Sequence, residues 1–104
     1  MVHMLGALVR NVNLLRVREI NIINVYMAYL IDVRTKQEFD SGHAPEAINH
    51  DIMEMMQGVF PDVPKDAAIT LYCESGNRSM MAKMFMEQAG FSNITDGGSV
   101  DNFM

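Results

Sequence analysis

The chain has 104 residues, enough for one domain with a modest core and too few for two. Apolar residues make up 49% and charged residues 20%, near the soluble globular average and far from the composition of disordered chains. A net charge of -5 gives no basic field for a phosphate backbone, so no nucleic-acid partner is expected. A single cysteine excludes an internal disulfide and a multi-cysteine metal site, and leaves one thiol to explain.

At the amino terminus, Arg10, Arg16 and Arg18 lead into "INIINVYMA", whose Asn21 and Asn24 make a poor signal-peptide core. Residues 1–28 are therefore expected to be an amino-terminal extension, folded as a strand or helix, ahead of a domain at 29–104. A cytoplasmic location is expected, with the periplasm as the alternative if 1–28 contain an export signal. No run reaches the ~18 uninterrupted apolar residues of a membrane span. The 11 methionines read as adaptable core packing.

From residue 29 each segment carries its own punctuation. "YLIDV" (29–33) is a short β-branched apolar run and predicts a buried strand. Thr35 and Glu38 have capping-box spacing and start a short helix, which Ser41 and Gly42 stop. "AINH" (47–50) predicts a second strand. Ile52, Met55, Met56, Val59 and Phe60 then fall on one helix face, with Asp51 as N-cap. "PDVPKD" is a loop, and "AITLYC" (68–73) has the low polarity of a strand covered on both faces. A helix over about 79–88 is expected to bury Met81, Met84 and Phe85 and to stop at Gly90. "NIT" (93–95) predicts a last strand before a turn at "DGGS". Strands alternating with helices give an α/β fold: a mainly parallel central sheet with helices on both faces.

This order puts Cys73 at the carboxyl end of a central strand and at the entrance to a helix, where ligands bind in open α/β sheets. The backbone N–H groups of Glu74, Ser75, Gly76 and Asn77 can curl into a nest, with Gly76 free to turn left-handed. Such a cradle, with the positive end of the helix, lowers the pKa of a thiol and holds any anion attached to it. Arg78 either braces the loop through backbone carbonyls or faces an anion, and Ser79 adds a donor.

Four stretches in this order, "LIDVRTKQEF", "GHAPEAIN", "LYCESGNRS" and "DGG", resemble the rhodanese sulfurtransferases of the small single-domain type over residues 29–98. The resemblance implies a rhodanese-like fold. It also implies a sulfurtransferase in which Cys73 takes a sulfane sulfur from a donor such as thiosulfate, becomes a persulfide, and passes the sulfur to a thiophile such as cyanide. The matching loop, residues 73–78, would hold the substrate and persulfide, with Ser79 following it. Related phosphatases use a Cys-x5-Arg loop; here the arginine arrives after four residues, which favours sulfur over phosphoryl transfer. Asp32 and Arg34 match the "DVR" signature and are expected to brace the strand end, while His43 matches "GH" as a hydrogen-bonded structural residue. His3 and His50 lie far from any partner pattern. Glu74 is an acid where a small or basic residue would better attract anions.

The reaction needs no cofactor and no metal. The expected partners are a small sulfur-containing anion and a thiophilic acceptor, with a protein sulfur acceptor as a further candidate. The alternative function is a non-catalytic rhodanese-like module that binds or carries sulfur for a protein partner. The intact cysteine favours the enzyme.

Overall fold

The computed structural model describes residues 28–104. The readings made on residues 1–27, including a strand or helix there, an export signal, and His3, lie outside the described residues. Among the described residues, four strands form one parallel sheet: β1 (Ala28–Asp32), β2 (Ile48–Asn49), β3 (Ala68–Cys73) and β4 (Ile94–Ser99), in the order β2-β1-β3-β4. The helices described are α1 (Lys36–Ser41), α2 (Ile52–Met56) and α3 (Asn77–Gln88), followed after β4 by a 3-10 turn at Val100–Asn102.

Period-two alternation along β1 and β3 divides the core between the two faces of the sheet. Ile31, Val33, Ile69, Leu71 and Cys73 point to one face, where Ile52 and Met55 of α2 and Ala82 and Met86 of α3 cover them. Leu30 and Tyr72 point to the other, against Ala44, Ala47, Val100 and Phe103. Helical cover therefore lies on both sides, as two α-helices on one and the 3-10 turn on the other. Four of the six residues of β3 are buried and none is exposed, as expected of a central strand.

The helix punctuation acts locally. Thr35 accepts from Glu38 N–H while the Glu38 carboxylate accepts from Thr35 N–H, which closes the capping box of α1. Gly42 ends that helix by donating to the Phe39 carbonyl. Asp51 caps α2 through Met53 N–H.

Three expectations need correction. The helix foreseen through Phe60 ends at Met56, because Gly58 and the prolines beyond break the ladder and Val59 N–H turns back to the Glu54 carbonyl. Ile52 and Met55 remain inward, whereas Met56 and Val59 are exposed. In α3 the inward residues are Ser79, Ala82 and Met86, with Phe85 half-buried; Met81 and Met84 face outward, so the methionines are core residues only in part. Small Ser79 and Ala82 let the helix lie close on the sheet, and that closeness sets its rotation. Finally, "DGGS" is not a turn but the last four residues of β4, which stays paired with β3 through a register break between Leu71 and Cys73. Gly97 allows this close approach, because a Cβ there would lie 2.9 Å from the Leu71 carbonyl oxygen and 2.6 Å from Phe103 Cζ.

Candidate active site

Cys73 is the last residue of β3, and its residue surface is fully buried. The chain then turns through Glu74, Ser75 and Gly76 into α3. Gly76 stands at φ +104°, in the left-handed region open to glycine, and serves as the N-cap of α3. That turn aims Gly76 N–H at the Cys73 sulfur, 2.9 Å away. Burial pushes the Cys73 pKa up, but the backbone N–H and hydroxyl of Ser79, with the N–H groups of Gly76 and Ser75, outweigh it and hold the thiol below its ordinary value. The arrangement is a thiol set among oriented backbone donors, able to carry negative charge on its sulfur.

Ser79 is fully buried in the first turn of α3. Its hydroxyl lies 3.6 Å from the Cys73 sulfur, 3.1 Å from the Gly76 carbonyl and 2.7 Å from Asp96 Oδ1. Asp96 also accepts from Gly98 N–H at 3.0 Å. Ser99, in register with Cys73, donates its hydroxyl to the Glu74 carbonyl at 2.8 Å. The carboxyl half of β4 thus fastens the loop from the side.

Arg78 braces the loop through a side-chain carboxylate rather than through backbone carbonyls. Its guanidinium makes two bonds to the Glu38 carboxylate, 2.7 and 2.9 Å, joining α1 to the first turn of α3. Hydrogen bonding to Glu38 raises the Arg78 pKa, and the same bonds draw Glu38 down to about 2. Arg34 is the buried brace. It bonds both oxygens of fully buried Asp32, reaches the Gly42 carbonyl at 2.7 Å and pairs with Glu74 at 3.1 Å. Its hydrogen bond to Asp32 is the chief cause that holds its pKa above the ordinary value. Asn49 donates to the carbonyls of Asp32 and Arg34 and so fixes the same corner. His43 is exposed, stacks on Phe39 at 3.6 Å and donates from Nδ1 to the Phe39 carbonyl. Its geometry is that of a helix-end clasp.

Cys73, Gly76 and Ser79 therefore gather at one point, Arg78 reaches from the same turn to Glu38, and Asp32, Arg34 and Glu74 form a linked group beside them. Ser75 is exposed on the loop and Asn77 is exposed at the start of α3. Three contributors were not foreseen at the site: Glu38, read only as a cap, and Asp96 and Ser99, on what reads as a turn. A parallel strand order placing β4 beside β3 would have pointed to the last two, since the carboxyl ends of neighbouring parallel strands share one edge. Among the described residues, no group of three or more His, Cys, Asp or Glu side chains could hold a metal ion, and no helix is long and apolar enough to cross a membrane.

A thiol cradled at the carboxyl edge of a parallel sheet defines a cysteine-centred α/β domain. The chain belongs to the rhodanese-like domain family, whose model matches residues 17–101. It is 34% identical over 68 residues to the adenylyltransferase and sulfurtransferase uba4 of Ogataea parapolymorpha, a match covering 65% of this chain but 18% of that protein. It is 28% identical over 71 residues to the thiosulfate sulfurtransferase PspE of Escherichia coli, covering 67% of this chain and 68% of that one. Among solved structures, a rhodanese with anions from E. coli superposes with a TM-score of 0.62 at 25% identity, over 73% of this chain and 91% of that chain.

Proposed function

We propose that this protein moves a sulfane sulfur from a donor such as thiosulfate to a thiophilic acceptor such as cyanide through a persulfide on Cys73. The observation that carries the reading is the 2.9 Å approach of Gly76 N–H to the Cys73 sulfur, within a loop whose donors hold the thiol below its ordinary pKa. The Cys73 thiolate attacks the outer sulfur of thiosulfate, the S–S bond breaks, and sulfite leaves with its electron pair. The charge now sits on the outer sulfur of the persulfide, close to the same N–H donors. Attack by cyanide on that sulfur releases thiocyanate and restores the thiolate.

Resemblance to a thiosulfate sulfurtransferase supports thiosulfate as a donor. Retention of a thiolate is favoured in a reducing compartment, so the reading includes a cytoplasmic location. A second reading, sulfur passed to a protein acceptor, is favoured by the match to less than a fifth of a longer protein whose name joins adenylyltransferase to sulfurtransferase. Thiocyanate formation should follow ping-pong kinetics with thiosulfate and cyanide, and Cys73→Ser should abolish it without unfolding the chain. Turnover by Cys73→Ser at the wild-type rate would reject the proposal.

A further inference from the structure

The hydroxyl of Ser79 has one hydrogen and three acceptors within reach. They are Asp96 Oδ1 at 2.7 Å, the Gly76 carbonyl at 3.1 Å and the Cys73 sulfur at 3.6 Å. An ionised carboxylate at the shortest distance takes that hydrogen. Asp96 is itself anchored, since Gly98 N–H donates to the same oxygen at 3.0 Å. With its hydrogen committed, Ser79 Oγ turns a lone pair to the sulfur and accepts the S–H of the Cys73 thiol.

We propose that Asp96 is a positioning residue for Cys73 that acts through Ser79, holding the hydroxyl hydrogen so that the hydroxyl can donate to the sulfur only by leaving the carboxylate. When the thiol ionises, its proton passes to solvent and the Ser79 hydrogen swings from Asp96 Oδ1 to the sulfur. When Cys73 takes up a sulfur, the charge moves to the outer atom, the inner sulfur is neutral again, and the hydrogen returns to Asp96. The carboxylate therefore favours the states in which Cys73 Sγ carries no charge, which draws the thiolate toward the sulfur-loaded form. Other charged groups around the sulfur are already engaged: Arg78 with Glu38, and Arg34 with Asp32 and Glu74. Asp96 is the acid on the β4 side.

This inference rests on Cys73 being the nucleophile, but alkylation titrates the thiol whether or not it carries sulfur, so failure of the two readings can be told apart. The experiment follows the rate of iodoacetamide alkylation against pH for wild type, Asp96→Asn, Ser79→Ala and the double variant. Asparagine retains an oxygen for Gly98 N–H; if that variant does not fold, Asp96→Ser replaces it. Loss of the charge should move the midpoint to lower pH and raise the alkylation rate at neutral pH several-fold. The same change in the Ser79→Ala background should move it by a smaller amount. An equal or larger movement in that background would mean that the charge acts through space alone. That result, no movement, or movement to higher pH overturns the proposal.

Discussion

Arg78 and Glu38, 40 residues apart in the chain, meet in a two-bond ion pair at 2.7 and 2.9 Å. Through it the capping residue of α1 also restrains the helix that follows the Cys73 loop. Glu38 thereby serves two roles, closing its own helix and tying down another. The arginine of the loop is spent on holding the fold in the conformation described.

Because its hydrogen bonds to Arg78 draw Glu38 from 4.5 to about 2, the pair contributes its full stability above pH 4.5 and loses it as pH falls through about 2. Glu38→Gln should lower stability at neutral pH by about 1 kcal/mol or less, given partial solvent screening. It should also flatten the loss of stability in that acid window. Urea unfolding from pH 7 to pH 2 checks both.

Gly76→Ala meets no steric wall, since the added Cβ would sit 3.7 Å from Gly98 Cα. The cost is the left-handed backbone, about 1–2 kcal/mol. Relief of that strain would turn Gly76 N–H away from the sulfur. The variant should therefore stay folded with a lower melting temperature, and its Cys73 alkylation midpoint should rise.

Asp32 and Arg34 are both buried, so removing Arg34 leaves the Asp32 carboxylate without its ion-pair partner. Arg34→Ala should cost about 3–5 kcal/mol, several times the effect of breaking the half-exposed Arg78 pair. Adding Asp32→Asn should restore part of that loss. Chemical denaturation of the two single variants and the double variant measures the coupling.

The methionines of α3 separate by burial. Met86→Ala should cost about 2–5 kcal/mol. Met84→Gln, on the exposed side of the same helix, should change stability by no more than about 0.5 kcal/mol. Thermal unfolding of the two distinguishes this rotation of α3 from the one that buries Met84.

Local signals in the sequence were enough for β1, β3 and the caps of α1 and α2, because each depends on residues within one turn or one strand. The rotation of α3 was not legible, since methionines at 80, 81, 84 and 86 make several faces equally apolar. The small residues Ser79 and Ala82 chose among them. The length of β4 depended on Gly97 fitting against Leu71 and Phe103, a contact that no local pattern shows. Cys73 and its loop were legible because backbone geometry there follows from a strand end, Gly76 and a helix start. The partners that complete the corner, Glu38, Asp96 and Ser99, come from distant segments, and only the fold brings them in.

Intact mass after thiosulfate treatment, before and after cyanide, tests the central claim most directly. Wild type should gain the mass of one sulfur and lose it to cyanide as thiocyanate appears, while Cys73→Ser stays unchanged. A wild-type protein that gains no sulfur although its Cys73 is alkylated readily, or a Cys73→Ser protein that gains it equally, would contradict the account.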